Sequence, residues 1–189
     1  MKYFFTTVIL TFLTILQEAS AQGRFKTSGG EIGYSNTFSD NTTYKMILMM
    51  ADFSWSFKKY PKKKDFVGWY VNPQFNWVKA TNTKGIDVEV GVNLGIRNYI
   101  RINDRFLLYQ MLGSGPHYYT ADLDRQAPGF IFSDNLAIGS FINLKKNLFL
   151  NLQFGIRHIS NANLELPNRG VNSVIFMAGL SGVTFAKRS

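Results

Sequence analysis

His158 and Ser160 are a base and a hydroxyl two residues apart, closing an alternating apolar run that begins at Leu148. In a β-strand, residues i and i+2 share a face, so the two side chains would point the same way. An imidazole beside a hydroxyl activates a weak nucleophile by taking its proton as it attacks. The face they share is the unusual part. In phase with them lie Leu148, Leu150, Leu152, Phe154 and Ile156, the apolar side of the strand. Asn172 holds a similar place on the next alternating run, in phase with Val174, Phe176, Ala178 and Leu180. Three polar groups converge on an apolar surface, which is unfavourable against hydrocarbon and argues for a purpose there.

The elements that must position them begin with export. The chain has 189 residues, no cysteine, a formal charge of +9 and 15% aromatic residues. Without cysteine there is neither a disulfide framework nor a thiolate metal site. Met1-Lys2-Tyr3 is a short positive start, Phe4 to Leu16 an apolar core, and Ala19-Ser20-Ala21 a small-residue cleavage site. Residues 1–21 are therefore expected to be a signal peptide, followed by one domain over 22–189. The apolar run is short for a membrane-spanning helix, and no later stretch is long and apolar enough for one. An exported chain of this kind is either soluble or crosses a membrane as strands. The basic balance is read with an anionic membrane surface and not with nucleic acid.

Alternation recurs along the rest of the chain. Candidate strands run over Phe25–Tyr34, Tyr44–Phe57, Val67–Trp77, Ile86–Arg97, Phe106–Gly113, Phe130–Leu144, Leu148–Ser160 and Asn172–Phe185. Their length suits tilted membrane strands of roughly 9–11 residues. Their polar faces carry Asp87, Glu89, Arg97, Asn151, Gln153 and Arg157, as a narrow lumen would. Their apolar faces place Trp and Phe toward strand ends, as in interfacial aromatic girdles. The expected fold is all-β: an eight-stranded antiparallel transmembrane β-barrel of the outer membrane. Closure also removes the exposed edges that a sheet of this size would otherwise carry.

With both termini on the periplasmic side, the connections Ser35–Thr43, Lys79–Gly85, Ser114–Gly129 and Asn161–Val171 face outward. The tight Lys145-Lys146-Asn147 turn faces inward to the periplasm, as does the lysine-rich Lys58–Asp65 connection. His117 falls in the longest outer connection and is expected at the surface. Asp122 and Asp124 in that connection have a spacing that could hold a divalent cation with anionic headgroups. Ser160 is placed at the outer rim, facing lipid.

The segment His158-Ile159-Ser160-Asn161-Ala162, with Leu164, Pro167-Asn168 and Gly170-Val171, resembles the PagL-type lipid A 3-O-deacylases. These motifs cover about fifteen residues, and the barrel architecture is compatible over the remainder. The resemblance implies an esterase acting on lipid A of lipopolysaccharide in the outer leaflet. It makes Ser160 the nucleophile, His158 its base and Asn161 a contributor to the oxyanion hole, with the backbone N–H of Asn163 as second donor. Neither metal nor cofactor is implied. Where the family has a glutamate to orient the histidine, this chain has Asn172. An amide oxygen can hold the tautomer, but it stabilises an imidazolium less than a carboxylate does, so a slower enzyme is expected. Glu165 is the nearest spare carboxylate in the outer connection, and Arg169 is a basic group suited to lipid phosphates.

Two other classes remain open from the sequence. One is a non-catalytic barrel with a structural or adhesion role, retaining a residual motif. The other is a small transport barrel, disfavoured by the crowded polar lumen that eight strands enclose.

Overall fold

Strict alternation turns into strands here because each has one face for hydrocarbon and one for a polar interior. The computed structural model describes residues 25–38, 43–59, 66–82 and 85–185. The expected signal peptide, the lysine-rich connection beyond Lys59 and the basic tail Lys187-Arg188-Ser189 lie outside the described residues. Nine segments follow one another: β1 (Phe25–Thr37), β2 (Tyr44–Lys59), β3 (Phe66–Ala80), β4 (Asp87–Arg101), β5 (Phe106–Ser114), β6 (Pro116–Tyr119), β7 (Gly129–Lys145), β8 (Leu148–Ser160) and β9 (Val171–Phe185). All pairings are antiparallel, β1 pairs with β9, and β3 pairs with β4, so the sheet closes on itself.

β5 and β6 are one barrel strand in two parts. Both lie between β4 and β7, and Gly115 keeps the ladder intact by exchanging two hydrogen bonds with Ser133. Gly115 itself packs against Val92, whose carbonyl oxygen would lie 1.8 Å from a Cβ placed there. The fold is thus the expected eight-stranded barrel. Among the described residues, no helix is long and apolar enough to cross a membrane.

One expectation is overturned. The connection after the fifth strand was expected to begin at Ser114 and carry His117 at the surface, yet the strand resumes at Pro116. His117 points into the barrel and is buried, with Nδ1 2.6 Å from Glu89. The alternation of Pro116-His117-Tyr118-Tyr119 is short, and a Gly-Pro pair conceals its continuity with β5.

The lumen is filled rather than open. Asp52 and Arg97 are fully buried and form a bidentate pair at 2.8 and 3.0 Å, with Asn72 donating to Asp52 at 2.7 Å. Nearer the outer end, Glu89 accepts from Tyr44, from Asn76 at 2.9 Å and from Arg157 at 2.5 Å, besides its contact with His117. Apolar clusters lie at the two ends, one with Tyr44, Leu48, Leu123 and Ile159, the other with Phe25, Tyr99, Tyr109 and Phe141. Together these side chains occlude the interior, which disfavours the transport reading.

A buried ion pair is stable only while both partners remain. Asp52→Ala, which strands the Arg97 guanidinium, is expected to destabilise the barrel by roughly 3–5 kcal/mol in urea unfolding from detergent micelles. A surface change such as Lys45→Ala should leave the transition within about 0.5 kcal/mol of wild type.

Candidate active site

β8 and β9 place the three singled-out residues on one face and bring two of them, His158 and Asn172, into contact. His158 and Asn172 are direct partners across the ladder, and both belong to the outward phase. His158 Nδ1 lies 2.7 Å from Asn172 Oδ1. An amide oxygen can only accept, so Nδ1–H donates and Nε2 keeps its lone pair. That is the tautomer a general base requires. Ser160, the last residue of β8, is half-buried on the same face. No hydrogen bond joins it to the ring, and pairs of this kind commonly tighten only around substrate.

The connection over residues 161–170 is built to hold one shape. Asn168 Oδ1 accepts the backbone N–H of Asn161 at 3.0 Å, while Asn168 Nδ2 donates to Asn163 Oδ1 at 2.9 Å. Asn161 is buried and donates Nδ2 to the Glu165 carbonyl at 2.7 Å. Ala162 and Asn163 both have positive φ, 54° and 62°. Asparagine tolerates this region, whereas for alanine it costs on the order of 1 kcal/mol, a strain the surrounding bonds must maintain. The backbone N–H groups of Ala162 and Asn163 have no acceptor among the described residues.

Of the two expected oxyanion donors, Asn163 therefore retains an available N–H. Asn161 commits its backbone N–H and one side-chain hydrogen to the loop. The Glu165 side chain is exposed and makes no bond to His158; only its carbonyl takes part in the loop. Arg169 is exposed on the same loop.

Gly170 closes the loop with φ +64°. A Cβ there would sit 2.4 Å from His158 Cε1 and 2.9 Å from Nε2. The glycine thus admits both a left-handed backbone and an imidazole against it.

A second connection, residues 120–128, braces the first, which the sequence did not reveal. Ala127 N–H donates to the Pro167 carbonyl and Arg169 N–H to the Arg125 carbonyl, each at 2.8 Å. Tyr119 Oη reaches the Gln126 and Ala127 carbonyls at 2.9 and 2.8 Å from below. Asp124 accepts from Asn82 at 2.8 Å, and the described residues contain no group of three acidic or histidine side chains suited to a metal ion.

Below the polar residues the surface is apolar. Phe154 and Phe176 stand four residues beneath His158 and Asn172, with ring centroids 4.8 Å apart. They border a crevice of about 780 Å³ on the barrel exterior, shared with Ile138, Leu152, Ala178 and Ile32.

The fold has known counterparts. The crystal structure of the outer membrane enzyme PagL is similar, with a TM-score of 0.59 and 14% identity, covering 81% of this chain and 97% of that one. Neisserial surface protein A gives 0.58 and 9% over 84% and 95%. OprG from Pseudomonas aeruginosa gives 0.54 and 13% over 87% and 98%. At these identities the likeness is one of fold. No curated protein matches the chain. The model of the family described as lipid A 3-O-deacylase (PagL) matches residues 22–181. The chain is an outer-membrane β-barrel and belongs to the PagL lipid A 3-O-deacylase family.

Proposed function

We propose that this barrel removes an ester-linked acyl chain from lipid A by a serine–histidine mechanism on its lipid-facing outer rim. The family assignment supports the substrate class. The observation that supports the mechanism is the 2.7 Å bond from His158 Nδ1–H to Asn172, which leaves the Nε2 lone pair free, with Ser160 two residues on along the same outward face.

In this reading Ser160 Oγ attacks the ester carbonyl carbon while its proton passes to His158 Nε2. The electron pair displaced onto the carbonyl oxygen meets the Asn163 backbone N–H, and Asn161 holds the loop that presents that donor. Collapse breaks the acyl–oxygen bond, and the imidazolium returns its proton to the departing sugar oxygen. Water, deprotonated by the same ring, then attacks the acyl-enzyme and releases the fatty acid. The crevice bounded by Phe154 and Phe176 would receive the acyl chain from the bilayer side.

The location has a physical rationale. A lipid A ester lies at the junction of headgroup and hydrocarbon. A site on the exterior of the barrel meets it without extracting the lipid, and a lumen filled by buried ion pairs could not admit it.

The test is the mass of lipid A from cells with a lipopolysaccharide-bearing outer membrane that express the protein. Wild type should give a species lighter by one acyl chain. Ser160→Ala and His158→Ala should lower the rate by roughly a thousandfold or more. Unchanged lipid A with wild type, together with inertness toward simple acyl esters, would instead favour a non-catalytic barrel. Asn172→Glu should raise the rate by about tenfold, because a carboxylate stabilises the imidazolium better than an amide.

Gly170→Ala introduces a Cβ where the imidazole sits. The variant should keep the barrel's thermal transition within a few degrees and lose at least roughly tenfold in rate, since a small displacement of a catalytic group is costly. Heat-dependent electrophoretic mobility and the acyl-ester assay measure the two effects separately.

A further inference from the structure

Asn172 occupies one flank of His158. The other flank is Asp134, its direct partner across the β7–β8 ladder. Asp134 belongs to the outward phase of β7, between Phe132 and Leu136, and is exposed. It is the sole carboxylate on the outward faces of the described strands, since Glu31, Asp52, Asp87 and Glu89 are all buried inward. An acid on a lipid-facing strand is unfavourable in proportion to its depth. Here it stands level with the one outward-facing histidine.

We propose that Asp134 is a positioning residue for the deacylation, the charge partner of the His158 imidazolium that Asn172 cannot be. This rests on the serine–histidine reading above. Asn172 fixes the tautomer by accepting Nδ1–H, but it is neutral and adds no charge stabilisation when Nε2 takes the serine proton. Directly opposed residues on one face have Cβ atoms roughly 4.5–5.5 Å apart, and opposite charges so placed attract. Asp134 makes neither a hydrogen bond nor an ion pair with the ring in this structure, so it acts through space. Beside hydrocarbon that attraction is screened less than in water.

From β9 the ring meets Asn172, and from the loop it meets Gly170. Glu165 and Arg169 are exposed on the loop, while Arg157 points into the lumen toward Glu89. The division of labour is therefore spatial: the orienting acceptor comes from β9 and the negative charge from β7.

Asp134→Asn removes the charge and keeps the shape. With a detergent-solubilised acyl ester at pH 7, kcat should fall about tenfold while KM changes less than about twofold, the pattern of a lost transition-state interaction. Asp134→Glu should stay within about threefold of wild type, and Asn172→Glu added to Asp134→Asn should restore most of the loss. Wild-type kcat in Asp134→Asn, or an Asp134→Glu variant as slow as Asp134→Asn, would overturn the proposal while leaving the serine–histidine reading intact. A wild type inert toward the ester would overturn that reading and this proposal with it.

Discussion

A strand barrel in a bilayer presents two incompatible surfaces, and successive residues must alternate between them. Everything else in this molecule follows from that period of two. Inward positions hold carboxylates, guanidinium groups and amides that satisfy one another, because the interior is too narrow for bulk water and too polar for lipid. The Asp52–Arg97 and Glu89–Arg157 pairs are the result. Outward positions must be apolar over the bilayer's depth, and most are. Deviations on that face become visible against such a uniform background, and the principal cluster is Asp134, His158, Ser160 and Asn172.

The site needs more rigidity than a strand end supplies. A rim residue has lost half its ladder, and the connection above it is exposed. The molecule answers with two connections that hydrogen-bond to each other, and with Tyr119 rising from the wall to hold the second by its carbonyls. The left-handed residues Ala162 and Asn163 are sustained by Asn168, whose amide bonds at both its oxygen and its nitrogen. Two of the three left-handed non-glycine residues among those described thus lie side by side in this connection.

The fold and the central pair were legible because alternation is a property of each strand alone. The phase of Leu148–Ser160 was enough to put His158 and Ser160 on the lipid side, and that of Asn172–Phe185 added Asn172. What was hidden depended on how strands meet. The expected strand ends Leu144 and Leu148 already imply Asp134 opposite His158, but the structure turns at Lys146-Asn147, which by itself would set Asp134 opposite Ile159. A bulge between Asn143 and Lys145 shifts the register so that Asp134 faces His158, as the matching of outward faces demands. Asp134, an acid in an apolar phase, was passed over in the sequence, because its significance lies in its partner across the ladder. The inward turn of His117 was concealed for a similar reason. Gly115 and Pro116 read as the start of a loop, although the ladder to Ser133 continues through them. The embrace of the two outer connections has no periodic signal at all.

The claim on which this account turns is that Ser160 is a nucleophile made reactive by His158 on the outer face of the barrel. A fluorophosphonate carrying an alkyl chain, offered to the folded protein in micelles, tests it at the atom. Peptide mass mapping should find one phosphonyl adduct, on Ser160, and the adduct should be absent from His158→Ala. Deacylation of lipid A by a wild-type protein that stays unlabelled at Ser160, or labels elsewhere, would contradict it.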